Sequence, residues 1–476
     1  MKLKMLCSAL AGASLLLSAC GGSDGSSAAT PTKNVLFFLG DGMGITTMTA
    51  ARIYSVGEDG ELTMDKLPET AFVHTFSNDA QVTDSAPSMA AYMTGVKMNN
   101  EVISMSAETM AYAANGQQYI NGEDTTCPAG NGQPAQTLLE LSKAKGRAVG
   151  AISTTRVGHA TPAATYAHIC NRNGYNSIAE QSVPGHANYN ARLGDGIDVL
   201  MGGGQRNYLP KSVNPSSKRT DTANLVDMMK AKGYAYVAKG SELAALDATK
   251  APKLLGLFTQ SEMAYELDRV KQRLDEPSLS DMTGKALDVL SRNDKGFFLM
   301  VEGGRIDHAL HATNARRALQ DTVAFDNAIQ TALDKMAKLD PGLKNTLIVV
   351  TADHDHTLHL NGYAARTGKT EAGKPGVLGL VKNYVDGKAS TDVDGNPYTI
   401  LGFGNGPKRL ATRGPIDAAT LESPDYLQEA VVPLASETHG GGDVFLGAQG
   451  MGADTFSGVI DNTAVFNLIK KSIGLQ

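Results

Sequence analysis

Asp41, Glu302 and Asp353 each stand at the end of a short apolar run: Phe37-Phe-Leu-Gly-Asp41, Leu299-Met-Val-Glu302 and Val349-Val-Thr-Ala-Asp353, with His354 directly after the last. Such runs read as strands buried on both faces. In an open α/β sheet the ligand site lies beyond the carboxyl ends of the strands, so these three side chains converge from distant parts of the chain. Carboxylates brought together repel one another, and bound divalent cations are the ordinary means of neutralising them.

The residues around these acids extend the same chemistry. In Glu302-Gly-Gly-Arg-Ile-Asp307-His308-Ala-Leu-His311, Asp307 and His311 are four apart and face the same way on a helical turn, where they can share one metal. Imidazole with carboxylate suits zinc, whereas an all-oxygen set suits magnesium, so two kinds of metal site are expected. In Asp353-His-Asp-His356, residue chemistry alone leaves Asp355 and His356 open as further ligands. A nucleophile is offered by Val82-Thr83-Asp84-Ser85-Ala86-Pro87, which leads into a helical pattern over 88–94. Ser85 is expected at the helix start, with Pro87 in the first turn, where its missing donor does no harm. A serine there is often an N-cap. It can also be a nucleophile, because the positive end of a helix and a neighbouring zinc ion both favour the ionised hydroxyl.

Positioning these groups requires alternating elements. Apolar runs at 35–39, 148–152, 297–301 and 347–351 read as buried strands, and helical patterns at 281–291 and Ala315–Leu339 lie between them. The alternation predicts an α/β fold with a largely parallel sheet and helices on both faces. No internal repeat interrupts it, and the chain from about Lys33 to residue 476 reads as one catalytic unit. From about 358 to 435 the rhythm breaks into glycines and the turn-rich Asp392-Val-Asp-Gly-Asn-Pro397, an insertion at the edge of the domain whose charges read as solvated surface.

Composition supports a globular enzyme: 42% of the 476 residues are hydrophobic, with 51 glycines for tight turns. The net charge of -6 disfavours wrapping a polyanion, which argues against nucleic-acid binding as the main role. Lys2 and Lys4 precede an apolar stretch over 5–19, the pattern of a signal peptide and too short to span a bilayer. Leu17-Ser18-Ala19-Cys20 resembles the lipobox of bacterial lipoproteins, so the mature chain is expected to begin at a lipidated Cys20. A Gly/Ser-rich tether over 21–32 follows, and the location implied is the periplasm or cell surface, with the lipid in the membrane. In that oxidising setting Cys127 and Cys170 are either a disulfide or two buried thiols.

Taken in order, these residues resemble the alkaline phosphatase family. The likeness runs from about Asn34 to near Gly474, through 34–44, 83–95, 159–172, 198–210, 302–311, 351–354 and 437–442. It implies hydrolysis of small phosphate monoesters to alcohol and inorganic phosphate through a phosphoserine on Ser85. It further implies one zinc on Asp307, His311 and His439, a second zinc on Asp41, Asp353 and His354, and a magnesium site sharing Asp41 with Thr161 and Glu302. Arg172 would hold two phosphate oxygens, a geometry that guanidinium supplies and ammonium does not. Gly202-Gly-Gly204 would be a structural turn, and the assembly a homodimer. A phosphodiesterase is disfavoured by Arg172 and the Thr161 and Glu302 pair. A sulfatase lacks its Cys/Ser-x-Pro-x-Arg motif here, and a mere binding lipoprotein needs no Ser85.

The chain departs from the family pattern where Pro87, Met89 and Ala90 follow Ser85, so packing behind the nucleophile is expected to differ. His159 and His308, near the magnesium site, resemble the animal enzymes, whereas some bacterial members have Asp and Lys there. An imidazole beside Thr161 is expected to weaken magnesium retention.

Overall fold

Nine of the ten strands in the central sheet run in one direction, and only Val444–Gly450 runs against them. The computed structural model describes residues 31–475. The expected signal peptide and Cys20 lie outside the described residues, as does most of the expected tether. In spatial order the strands are Gly458–Asp461, Glu69–His74, Val444–Gly450, Thr346–Ala352, Asn34–Gly40, Phe297–Gly303, Ala148–Arg156, Val199–Gly203, Lys253–Leu257 and Tyr234–Val237. The four predicted strands are its centre, each one or more residues longer than its apolar run. Two of them are buried along their whole length and the other two at all but one residue, as continuous apolar runs require of strands covered on both faces.

Two separate groups of helices provide that cover. Ile45–Val56, Leu279–Leu290 and Ala315–Leu339 pack together, and Ser85–Thr94 packs with Leu138–Ala144 and Asn462–Ser472. The longest helix has the predicted bounds, and its first turn is capped by Asn314, whose side chain accepts from the Arg317 N–H. Leu279–Leu290 starts two residues before the predicted span because Ser278 and Asp281 form a reciprocal capping box.

The stretch 358–435 adds no strand to the central sheet, and its buried apolar residues join the same core. Leu358–Leu360, Leu401–Gly406 and Ala430–Pro433 form a three-stranded sheet with Leu358, Val381, Leu401, Phe403 and Ala430 buried. The Gly202 to Gly204 run ends a parallel strand as well as turning the chain. A side chain at Gly202 would lie 2.9 Å from the Thr155 carbonyl oxygen, and Gly204 has φ 104°.

The folded unit begins before the end of the expected tether. Thr32 is fully buried, its N–H donates to the Ser472 carbonyl at 2.8 Å, and the buried Arg147 donates to the carbonyls of Thr32 and Ile473. One guanidinium thus ties both ends of the domain together. Cys127 and Cys170 form a disulfide across 43 residues, their Cα atoms 6.0 Å apart. On chain-entropy reckoning a loop of that length contributes about 4 kcal/mol.

Candidate active site

The sheet register brings the strand-end acids to one level. Gly40 pairs with Ala352 on one side and Gly303 on the other, so Asp41 and Asp353 emerge side by side, with Glu302 one residue before Gly303. All three are fully buried. The chain escapes the crowding after Asp41 through Gly42, at φ 65°, where a side chain would strike the His356 ring and where the N–H donates to Asp353 Oδ1 at 2.9 Å. Burial and then the charges of Asp353, Asp307 and Glu302 hold the Asp41 carboxyl well above the usual carboxylate range. Burial, with Asp353 adding to it, pushes Glu302 up to about 7 against hydrogen bonds from Ser153 and Thr155.

The histidines are aimed by what holds their other nitrogen. His311 Nδ1 donates to the Glu437 carbonyl at 2.6 Å, His439 Nδ1 to the Thr83 carbonyl at 2.8 Å, and His354 Nδ1 to the Asp355 carbonyl at 3.2 Å. Each ring therefore presents a lone pair on Nε2 to the interior. His311 Nε2 and His439 Nε2 face each other at 3.1 Å, at 3.2 and 3.5 Å from Asp307 Oδ1. His354 Nε2 lies 3.4 Å from both Asp41 Oδ1 and Asp353 Oδ2, and its ring stacks on His439 with centroids 3.5 Å apart. The helix Arg305–His311 places Asp307 and His311 together, as the four-residue spacing predicted.

This arrangement fits divalent metal. Lone pairs facing one another across carboxylates need a cation between them, and several buried atoms have no protein partner: Asp41 Oδ2, Asp353 Oδ2, Glu302 Oε1 and Thr161 Oγ1. The donors fall into overlapping groups, Asp41 with Asp353 and His354, Asp307 with His354, His356 and His439, and Asp41 with His159 and Glu302.

Ser85 Oγ sits inside this cluster, 2% exposed, 3.3 Å from Asp41 Oδ1 and 3.2 Å from His354 Nε2. It is the first residue of the helix Ser85–Thr94 rather than its cap. Asp84 takes the capping role, accepting from the Ala86 N–H at 2.7 Å, which leaves the Ser85 hydroxyl free to face the acids. Behind it Pro87, Met89 and Ala90 are buried. Ser88 and Tyr92 donate to the carbonyls of Asp353 and Ala352, so the helix is pinned to the strand that carries the acid.

Arg172 Nη1 donates to Asp84 Oδ1 at 2.8 Å and its Nη2 to His159 Nε2 at 3.1 Å. Burial, Arg172 and His308 hold His159 well below the usual imidazole value, so it is a neutral acceptor. Its ring meets His308 edge to face, and His308 Nδ1 accepts from Arg305 at 2.7 Å.

Four residues at the site had no reading from sequence. Asp84 fixes Arg172. Ser153 and Thr155 donate to Glu302 Oε2, and Glu437 accepts from His356 Nδ1 at 2.5 Å and from Thr357. Asp84 was signalled by its place beside Ser85, and Glu437 by standing two residues before His439. His356, left open as a ligand, bridges Glu437 and Asp307 through both ring nitrogens, the latter at 2.8 Å. Those two carboxylates outweigh burial and raise it to about 10. Asp355 keeps a buried Oδ1 with no partner.

A family model described as alkaline phosphatase matches residues 32–475. The chain belongs to the alkaline phosphatase family. The alkaline phosphatase of Gadus morhua is 37% identical over 456 residues, covering 90% of this chain and 88% of that protein. The tissue-nonspecific isozyme of Homo sapiens is 36% identical over 465 residues, covering 91% and 82%. Among solved structures, Thermus thermophilus alkaline phosphatase superposes with a TM-score of 0.66 at 25% identity over 97% of this chain and 96% of that one. The enzyme of the Antarctic bacterium TAB5 shares the fold, with a TM-score of 0.62 at 22% identity over 94% and 99%. Alkaline phosphatases are metal-dependent, and this chain is accordingly a phosphomonoester hydrolase with the family's mostly parallel sheet.

Proposed function

We propose that Ser85 is the nucleophile in the first of two successive displacements at phosphorus and the leaving group in the second. What carries this reading is the Ser85 hydroxyl at a helix start, free of capping and within 3.3 Å of Asp41 and His354. In the first displacement Ser85 Oγ forms a bond to phosphorus, the ester P–O bond breaks, and the alcohol departs with a proton. In the second, water bonds to phosphorus, the bond to Ser85 Oγ breaks, and inorganic phosphate leaves while Ser85 regains its proton. Zinc on Asp307, His311 and His439, zinc on Asp41, Asp353 and His354, and magnesium on Asp41, Thr161 and Glu302 would supply the positive charge that favours ionisation and shields phosphate.

Arg172 binds and orients the phosphate. Asp84 and His159 each occupy one N–H of its terminal nitrogens, which leaves a second N–H on each for two phosphate oxygens. The helix start adds its dipole to the same charge.

The signal peptide, lipidated Cys20 and periplasmic or cell-surface location belong to this reading, as does the homodimer. An apolar patch supports the homodimer: Phe72 and Val459 pair on neighbouring strands and stay 48% and 59% exposed, with Phe76 at 47%.

Replacing Ser85 by alanine tests the nucleophile. Turnover of p-nitrophenyl phosphate should fall at least about a thousandfold, while inorganic phosphate still binds within roughly threefold of wild type. Acid quenching during turnover should recover phosphate on Ser85 in the wild type and none in Ser85→Ala. Near wild-type turnover in the variant would sink the assignment.

A further inference from the structure

Glu101 is one of five described non-glycine residues with positive φ, at 72°. Side chains rarely adopt this left-handed conformation, and residues kept there gather at functional sites. The conformation turns both main-chain polar groups of Glu101 onto Asp84, which adjoins the nucleophile, and onto Arg172. Its N–H donates to Asp84 Oδ2, and its carbonyl accepts from the main-chain N–H of Arg172 at 2.8 Å. Asp84 Oδ1 in turn holds Arg172 Nη1 at 2.8 Å. One residue thus grips both partners of an ion pair that joins positions 84 and 172.

Its side chain reaches the next residue along. Glu101 Oε2 accepts from Asn173 Nδ2 at 3.1 Å, and Asn173 Oδ1 accepts from the Tyr175 hydroxyl at 3.3 Å. Arg172 needs such bracing because it stands in an irregular stretch between the short helices Ala160–Ala163 and Tyr175–Gln181. No regular ladder sets its direction there.

We infer that Glu101 is a positioning residue for Arg172. Its left-handed main chain links Asp84 to the arginine, and its carboxylate steadies the following residue, so that the guanidinium is aimed before phosphate arrives. Preset geometry of this kind appears in binding of the phosphoryl group, in substrate and product alike. The inference rests on the reading of Arg172 as the phosphate-holding residue.

Three substitutions separate the main chain from the side chain. Glu101→Gly adopts the left-handed conformation freely and loses the side chain with its carboxylate, Glu101→Gln keeps an oxygen for Asn173, and Glu101→Val opposes the conformation itself. The KM for p-nitrophenyl phosphate and the inhibition constant of inorganic phosphate should rise together, about fivefold in Glu101→Gly and more in Glu101→Val, with kcat changing less than about twofold in the glycine variant. Glu101→Gln should stay within about twofold of wild type. In an Arg172→Ala background the glycine variant should add nothing, since its effect passes through the arginine. A residue that merely supports the fold would lower the unfolding temperature and leave both constants alone. Constants unchanged in Glu101→Gly, or an undiminished rise in the Arg172→Ala background, would overturn the inference. Arg172→Ala alone leaving both constants unchanged would instead overturn the reading of Arg172.

Discussion

A ring nitrogen becomes a metal ligand only when its partner nitrogen carries the proton. At His311, His439 and His354 a backbone carbonyl takes the Nδ1–H in each case, which decides the tautomer and the direction of the lone pair. His159 differs: its Nε2 accepts from Arg172, so Nδ1 bears the hydrogen, buried and without a partner. It stands in the group with Asp41 and Glu302, where a carboxylate would add charge and accept from metal-bound water. We therefore expect the wild-type enzyme to need added magnesium for full activity, and His159→Asp to reach it at lower concentration. Magnesium titrations of metal-stripped protein at constant zinc measure this, and superimposable curves would show that His159 does not tune the site.

Strands deliver Asp41, Glu302 and Asp353, and helices deliver Ser85, Thr161, Asp307 and His311. The parallel strands end at one level, whereas Ser85 depends on a neighbouring residue to cap its helix and on Ser88 and Tyr92 to pin that helix to a strand end. The long helix Ala315–Leu339 carries a feature tied to pH. Burial pushes the Asp321 carboxyl up to about 8, from an ordinary 3.8, although Arg305 and the Glu266 N–H oppose it. An acid whose pKa is higher folded than unfolded loses its protons first in the unfolded chain. Folding stability therefore falls as pH rises from the ordinary value towards about 8. Asp321→Asn keeps an acceptor for Glu266 without the charge, and should unfold at higher temperature than wild type near pH 8 with less dependence on pH below it. Melting curves across that range decide the matter, and parallel curves for the two proteins would rule it out.

At the scale of the molecule, both ends of the domain meet at Arg147, and the chain enters the fold at Thr32 beside the C-terminal helix. Among the described residues no helix is long and apolar enough to cross a membrane; the proposed attachment is through Cys20. Mass spectrometry of the mature N-terminus after expression in a lipoprotein-processing bacterium should find acylated Cys20, and Cys20→Ser should release the enzyme from the membrane fraction. An unmodified terminus elsewhere would reduce the reading to simple export.

Much of this was legible without a structure because it is local. Apolar runs closed by Asp41, Glu302 and Asp353 announce strands and a site at their ends, the spacing of Asp307 and His311 is one helical turn, and Thr83 to Pro87 announces a helix start. The likeness to alkaline phosphatases added the ligand sets, Arg172 and His439, which no local pattern supplies. Only the tertiary structure decided the contacts between residues far apart in sequence: Glu437 against His356, Thr83 against His439, Asp84 and Glu101 against Arg172, and Cys127 joined to Cys170. A hydrogen bond between residues 81 or 356 positions apart leaves no periodicity behind, since it depends on where two loops happen to meet over a sheet. The same holds for the cap of the nucleophile's helix. Asp84 and Ser85 are both good capping residues, and the choice between them fell to the site, which drew one carboxylate towards Arg172 and one hydroxyl towards the acids.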